Sequence, residues 1–215
     1  ILKQQMVIEQ KTKLILKTLN KIYPETPIPL KHKNTFTLLV SVLLSAQCTD
    51  KRVNQVTPGL FKKYPSIEEF AHSDLQELSK DIHSCGYHNQ KSRSIQGATL
   101  TILNEFDGEV PNSLDDLVSL PGVGRKTANC VLGECFNVPS MVIDTHMVRI
   151  MNLLELTHSK DPKKIELGLM DIFPNEEWVK LTHMIIDHGR AICIARRPQC
   201  QNCILTHVCP SSLME

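Results

Sequence analysis

The chain has 215 residues, of which 41% are hydrophobic and 22% charged, the balance of an ordinary globular protein. This composition excludes a disordered chain, a collagen and a coiled coil. Its 24 basic and 23 acidic residues leave a net charge of +1, so a nucleic-acid partner would need a local basic patch.

Apolar residues at helical spacing predict the first two helices. Segment 8–22 has an apolar face with lysines opposite, the pattern of an amphipathic helix. Asn34 or Thr35 can cap a second helix that runs to about Ala46. This second helix is apolar almost all round, which predicts that it lies at the centre of a core.

N-cap residues, prolines and glycines mark the later helices. They are expected at 51–63 after Asp50, from the capping box Ser66 to Glu69, at 75–82 after Asp74, at 89–106 from Asn89, at 114–120 after Ser113, at 125–135, from Thr145, from Pro162 after Asp161, and at 176–192. Only 141–143 alternates like a strand, and it is too short to found a sheet. The sequence therefore predicts an all-α fold of about ten short helices.

The sequence shows no signal for a membrane or for export. Its longest apolar stretch, 36–46, is about half of the roughly 20 residues that a membrane-spanning helix needs. No signal-peptide pattern opens the chain. We therefore expect no membrane partner and a cytoplasmic location, on the nucleoid if the source is bacterial. Disulfides are not expected in that compartment.

Four of the eight cysteines form a cluster near the end of the sequence. Cys193, Cys200, Cys203 and Cys209 have the spacing C-x6-C-x2-C-x5-C. Such a cluster indicates one metal centre, either tetrahedral zinc or a cubane [4Fe-4S]. Zinc ribbons usually pair two C-x2-C knuckles, and only one is present here, which favours the cubane over zinc.

The cluster segment is also a local basic patch. It contains Arg190, Arg196 and Arg197, and no acidic residue occurs from 189 to 213. This is the local basic patch that a nucleic-acid partner would need.

A Gly-rich turn, Leu-Pro-Gly-Val-Gly-Arg-Lys at 120–126, joins two predicted helices. Gly122 and Gly124 permit φ > 0 and leave the backbone bare, so N–H groups at the start of the second helix can approach a phosphate. A nucleotide-binding loop is disfavoured because no strand precedes the turn and the Walker spacing is absent. A plain helix–helix turn remains open.

An amine and a carboxylate follow this turn. Lys126 ends it, and Asp144 lies in Val-Ile-Asp-Thr-His at 142–146. A neutral lysine is a nucleophile, and a nearby carboxylate can accept a proton. From the residues alone, a lysine that contacts phosphate and an aspartate that caps a helix remain alternatives.

Four motifs in this order resemble those of the endonuclease III family of helix-hairpin-helix DNA glycosylases. They are Leu-Leu-Ser-Ala-Gln at 43–47, the extended turn motif at 120–128, the motif at 142–146 and the cysteine cluster. The resemblance extends from about residue 10 to 209.

The resemblance implies a two-lobed helix-hairpin-helix fold. A six-helix barrel would comprise 28–138, with the helix-hairpin-helix motif at about 114–135. Segments 1–27 and 139–215 would form a lobe that holds a structural [4Fe-4S] cluster on the four cysteines.

The resemblance also implies a bifunctional DNA glycosylase and abasic-site lyase, a monomer that acts on oxidised pyrimidines in double-stranded DNA. Lys126 would attack C1′ of the damaged nucleotide, form a Schiff base and cut the strand by β-elimination, with Asp144 assisting. The supporting pocket residues would be Ser45, Asp50 and His146, each of which could equally be a helix cap or a structural hydrogen-bond partner. Gln47 would enter the gap left by the flipped base, and Tyr87 stands where the family often has an aliphatic wedge. The backbone contacts would come from Gly122, Gly124, Arg125, Arg190, Arg196 and Arg197.

Two other functions stay open. One is a monofunctional mismatch glycosylase of the same superfamily, although such enzymes usually lack a lysine at the position of Lys126. The other is a DNA-binding module without catalysis.

Overall fold

The computed structural model of the chain describes residues 2–213 and divides into two compact units. We call residues 28–138 the hairpin unit. The cysteine unit combines the segment before Ile28 with the segment after Val138. Positions 1, 214 and 215 of the domains expected from the sequence lie outside the described residues. Each unit has a hydrophobic core of its own.

The hairpin unit is built from short helices and one 3₁₀ turn, His83–Cys85. The helices are α2 (Thr35–Ser45), α3 (Asp50–Lys63), α4 (Ile67–Ala71), α5 (Leu75–Asp81), α6 (His88–Glu105), α7 (Leu114–Ser119) and α8 (Arg125–Phe136).

Helix α2 lies at the centre of this unit, as its all-round apolar pattern predicts. Asn34 begins it with a capping box, in which its side chain accepts from Thr37 N. All residues from Phe36 to Leu44 are buried. Helices α3, α6 and α8 pack around it. Each fully buried leucine contributes about 1.5–3 kcal/mol relative to an exposed one, so α2 supplies much of the stability of the unit.

The cysteine unit combines helices that are distant in sequence. They are α1 (Leu2–Ile22), α9 (Thr145–Leu153), α10 (Pro162–Met170) and α11 (Trp178–Ala191), with 3₁₀ turns at Asn175–Glu177, Cys200–Asn202 and Thr206–Val208. Helix α10 begins as predicted, with the Asp161 carboxylate accepting from Lys164 N and Pro162 in the first turn. Helix α11 packs against both α1 and α9.

Two predicted helix starts were wrong. Thr49, which has an extended backbone, caps α3, so Asp50 is the first helical residue and not the cap. Helix α6 begins at His88 after Tyr87, which has a left-handed backbone and makes no side-chain cap. Asn89 does not cap α6, because its side chain accepts a hydrogen bond from the Ser79 hydroxyl at 2.8 Å.

The all-helical fold class is confirmed for residues 2–213, which contain no strand. Segment 141–143 is extended without pairing into a sheet. None of the helices described is long and apolar enough to cross a membrane.

Candidate functional site

Four exposed residues of the hairpin unit have a left-handed backbone conformation, and two of them, Gln47 and Tyr87, stand in loops next to helices α2 and α6; the others are Asp107 and Asn137. Gln47 follows α2 with φ +52, and Tyr87 precedes α6 with φ +48. Both side chains are exposed, that of Tyr87 by 65%. A left-handed conformation costs a residue other than glycine about 1–2 kcal/mol, so the surrounding structure must hold both loops. These are the two residues that the sequence resemblance assigns to the gap left by a flipped base.

The Gly-rich turn between α7 and α8 packs against α6. Gly122 has φ +79, and a Cβ at this position would lie 2.4 Å from Cβ of Ser94. A Cβ on Gly97 of α6 would lie 3.0 Å from Pro121. Gly124 differs from the expectation: its φ is −91, and no atom lies within 4 Å of a Cβ built there. It is the N-cap of α8, where its missing side chain leaves the helix start bare.

Lys126 is the second residue of α8, and its side chain is exposed, whereas Arg125 before it is half-buried. One turn further, burial raises the pKa of Cys130 to about 12, so this thiol is neutral at physiological pH. The charges of both Lys126 and Asp50 act on that thiol.

The predicted supporting residues of the hairpin unit have different surroundings. The Ser45 hydroxyl is half-buried and donates to Val42 O at 2.8 Å within α2. Asp50, also half-buried, opens α3. Ser45 thus has a local structural partner, which favours the structural alternative for this residue.

Asp144 lies in the cysteine unit, where it caps α9. Its Oδ1 accepts from Met147 N at 2.8 Å. His146, two residues further, packs against α11: a Cβ on Gly189 would lie 2.4 Å from Nδ1 of His146. Glycine at 189 therefore allows the start of α9 to approach α11 closely. Since Lys126 lies in the hairpin unit, its meeting with Asp144 at one site stays a prediction.

All four clustered cysteines line one cavity of about 240 Å³ in the cysteine unit. Burial raises the pKa values of Cys203 and Cys209, and the other thiols of the cluster contribute to the shift. Within the described chain, no three Cys, His, Asp or Glu side chains converge on a point that could hold one metal ion.

Two further side chains contact the clustered sulfurs, and the sequence analysis missed both. Arg149 of α9 donates to Sγ of Cys193 at 3.2 Å. His188 of α11 is almost fully buried, with Nε2 3.4 Å from Sγ of Cys203 and Nδ1 3.2 Å from the Tyr23 hydroxyl. Burial, together with the Arg149 charge, lowers the pKa of His188 to about 4. The neutral ring satisfies both contacts when Tyr23 donates to Nδ1 and Nε2–H donates to the sulfur.

The three arginines of the basic patch are exposed. Arg190 lies in the last turn of α11, and Arg196 and Arg197 lie in the loop between the first two clustered cysteines. Two of these cations therefore lie on the loop that borders the cysteine cavity.

The chain is similar to one protein family by its sequence and by its structure. Residues 40–175 match the model of the HhH-GPD superfamily of base excision DNA repair proteins. The chain is 45% identical to endonuclease III of Synechocystis sp. (strain ATCC 27184 / PCC 6803 / Kazusa), covering 99% of this chain and 97% of the relative. Two solved structures, a non-covalent endonuclease III–DNA complex and a trapped endonuclease III–DNA covalent intermediate, are each 41% identical with a TM-score of 0.91. Each comparison covers 95% of this chain and 96% of the other.

The two glycines of the turn should respond differently to substitution. Gly122→Ala adds a Cβ that overlaps Ser94 and forces alanine into a left-handed backbone, so we expect it to lower the free energy of unfolding by at least about 2 kcal/mol. Gly124→Ala is the matched comparison and should lower it by about 1 kcal/mol or less, because its φ is negative and the space is open, so that only the poorer N-cap preference of alanine acts against it. Urea unfolding measures both. Equal losses would contradict this assignment of the two glycines.

Proposed function

Because this chain belongs to the HhH-GPD superfamily and to the endonuclease III family within it, we propose that it is a bifunctional DNA glycosylase and abasic-site lyase. It removes oxidised pyrimidines from duplex DNA and cuts the strand at the abasic site. The observation that carries this proposal is the likeness, over 95% of the chain, to endonuclease III trapped covalently on DNA. A covalent intermediate requires a nucleophile, and the chain offers an exposed lysine at the helix-hairpin-helix turn.

Lys126 is the proposed nucleophile. Its side chain is exposed at the bare start of α8, beside backbone N–H groups that can hold a DNA phosphate. The neutral amine attacks C1′ of the damaged nucleotide and displaces the base. The resulting Schiff base with the opened sugar then undergoes β-elimination, which breaks the strand on the 3′ side.

Asp144 is the proposed partner of this amine. Its capping bond engages Oδ1, and the half-buried carboxylate has a second oxygen that the cap does not use. The start of α9 favours a negative charge at this position. The ionised group can take a proton from the nucleophile and stabilise the positive charge that develops on the sugar.

The hairpin unit also supplies the proposed means of base extrusion. A base must leave the stack before chemistry can reach its sugar, and this costs a few kcal/mol. Gln47 and Tyr87 are exposed on separate loops and would fill the gap, Tyr87 by stacking on the remaining bases.

A [4Fe-4S] cluster is the proposed occupant of the cysteine cavity. The fit is supported by the four thiols that line one space and by the hydrogen bonds that Arg149 and His188 offer to sulfur. The cluster, when bound, supplies cross-linking of the chain and not a reaction step. It would fix the loop from which Arg196 and Arg197 contact DNA phosphates, with Arg190 nearby.

The proposed substrate is double-stranded DNA that carries an oxidised pyrimidine or an abasic site, and the proposed working unit is a monomer in the cell interior. The rival functions are a monofunctional mismatch glycosylase and a DNA-binding module without catalysis. Neither of them forms a Schiff base through a lysine, and this difference separates them from the proposal.

Trapping with borohydride tests the lysine directly. When the protein is incubated with an abasic duplex and borohydride, we expect a covalent protein–DNA adduct that shifts on a denaturing gel. Lys126→Ala should abolish the adduct, whereas Lys80→Ala, which removes an exposed lysine of α5, should leave it intact. An adduct of unchanged yield with Lys126→Ala would overturn the mechanism, and no adduct with the native chain would overturn the lyase assignment.

Asp144→Asn should separate DNA binding from turnover. Asparagine caps helices as well as aspartate does, so the fold and DNA affinity should be retained, whereas loss of the carboxylate charge should slow base removal by about 10²–10⁴-fold. The control is Asp161→Asn, the matching change at the N-cap of α10, which should leave the rate unchanged. Single-turnover kinetics on a duplex with one lesion measure the rate. A normal rate for Asp144→Asn would contradict its role.

Elemental analysis tests the cofactor. Protein purified without oxygen should contain about four iron atoms and four sulfides per chain. Cys200→Ser should lower the iron content, and Cys135→Ser, which changes a cysteine outside the cavity, should not. Stoichiometric zinc without iron would overturn the assignment of the cluster.

A further inference from the structure

Lys91 is an unusual residue because its charged side chain is buried inside the hairpin unit. It lies in the second turn of α6 with 5% of its surface exposed. Burial lowers the pKa of its ammonium group. Lysine is almost never buried unless it is paired, because an isolated ammonium ion costs several kcal/mol to remove from water. The buried ammonium group of Lys91 therefore requires hydrogen-bond partners within the hairpin unit.

The Lys91 ammonium joins two segments that are distant in sequence. Its Nζ donates to Leu44 O at 2.7 Å and to Cys85 O at 2.9 Å. Leu44 lies in the last turn of α2, where carbonyl groups lack helical partners and a positive charge is favoured. Cys85 ends the 3₁₀ turn before Gly86. One cation thus caps two elements at once.

Each capped segment leads directly into a loop that holds a residue with strained backbone. Gln47 comes three residues after Leu44, and Tyr87 comes two residues after Cys85; both have φ near +50. The backbone N–H of Lys91 also donates to Tyr87 O at 3.0 Å. Such strained residues persist only where their surroundings hold them. Lys91 supplies hydrogen bonds to the chain on the approach to each one.

We propose that Lys91 is a positioning residue for base extrusion, whose ammonium sets the spacing between the Gln47 loop and the Tyr87 loop. The inference rests on the proposed function and deepens it. Gln47 and Tyr87 must enter one gap in the DNA from two loops, so their separation decides whether both fit. Lys91 is too deeply buried to contact DNA and acts through these loops.

The test of this proposal measures base removal by one variant, Lys91→Met, from two different duplexes. Lys91→Met keeps the length and the apolar stem but removes all three donors. One duplex carries an oxidised pyrimidine opposite its normal base, and the other carries the same lesion opposite a tetrahydrofuran abasic analogue. In the second duplex no base stands opposite the lesion, so base removal depends less on insertion of Gln47 and Tyr87. Base removal is measured under single-turnover conditions relative to the native chain.

We expect Lys91→Met to slow base removal from the paired duplex about tenfold more than from the second duplex, a factor that corresponds to about 1.4 kcal/mol of lost positioning. Reduced folding alone would lower both rates equally. Lys63→Met is the matched control, since Lys63 binds Glu77 and Asp81 at the surface and leaves the wedge loops untouched. This control should change both rates by the same factor.

A second variant keeps the test valid if Lys91→Met folds poorly. Lys91→Arg retains a donor for each carbonyl and should restore the native ratio between the two duplexes. Equal losses on both duplexes for Lys91→Met would overturn the positioning role while leaving the glycosylase assignment intact. Failure of the native chain to remove the base from either duplex would instead overturn the proposed function.

Discussion

The contacts of α6 with the end of α2, with the 3₁₀ turn at Cys85 and with the Gly-rich turn are the constraint on which the proposed DNA-facing loops of the hairpin unit depend. Near the start of α6, Lys91 binds the carbonyl groups that precede the two strained loops. Further along the same helix, Ser94 meets Gly122, and Gly97 meets Pro121. One helix therefore holds both the loops proposed to enter DNA and the turn proposed to bind its backbone. A rigid helix can keep such groups in register because it rises by a fixed 1.5 Å or so per residue.

In the cysteine unit, by contrast, the segment that carries the clustered cysteines has little regular secondary structure. Between Cys193 and Leu213, the last residue that the structure describes, the only helical elements are short 3₁₀ turns. Helices α9 and α11 reach this segment with polar side chains, Arg149 to Cys193 and His188 to Cys203. Buried polar groups of this kind are stable only when each is paired, and the Tyr23 hydroxyl completes the set on His188. These contacts orient the sulfurs of Cys193 and Cys203 without the help of a bound cluster.

The sequence predicted what depends on local chemistry and missed what depends on distant contacts. Caps such as Asn34, Ser66, Asp74 and Asp161 were recognised because the cap and its N–H partner lie three residues apart. The start of α6 was misplaced because Ser79 of another helix engages Asn89. Lys91, Arg149 and His188 reach partners that are 47, 44 and 15 residues away, and no local pattern marks such pairs. The resemblance to a family supplied candidate site residues and gave no information on Lys91, Arg149 or His188.

Asp144 shows why a structural role and a catalytic role need not compete. The carboxylate caps α9 through Oδ1, which fixes its position at the helix end. That same helix end carries partial positive charge, which attracts the carboxylate group, and a carboxylate can accept a proton. The close packing of His146 against Gly189 holds the first turn of α9 against α11, and this restrains the capping carboxylate of Asp144. The hydrogen bond from Met147 N to Oδ1 of Asp144 would therefore hold the carboxylate in position for catalysis. A capping role at Asp144 is compatible with the proposed catalytic role.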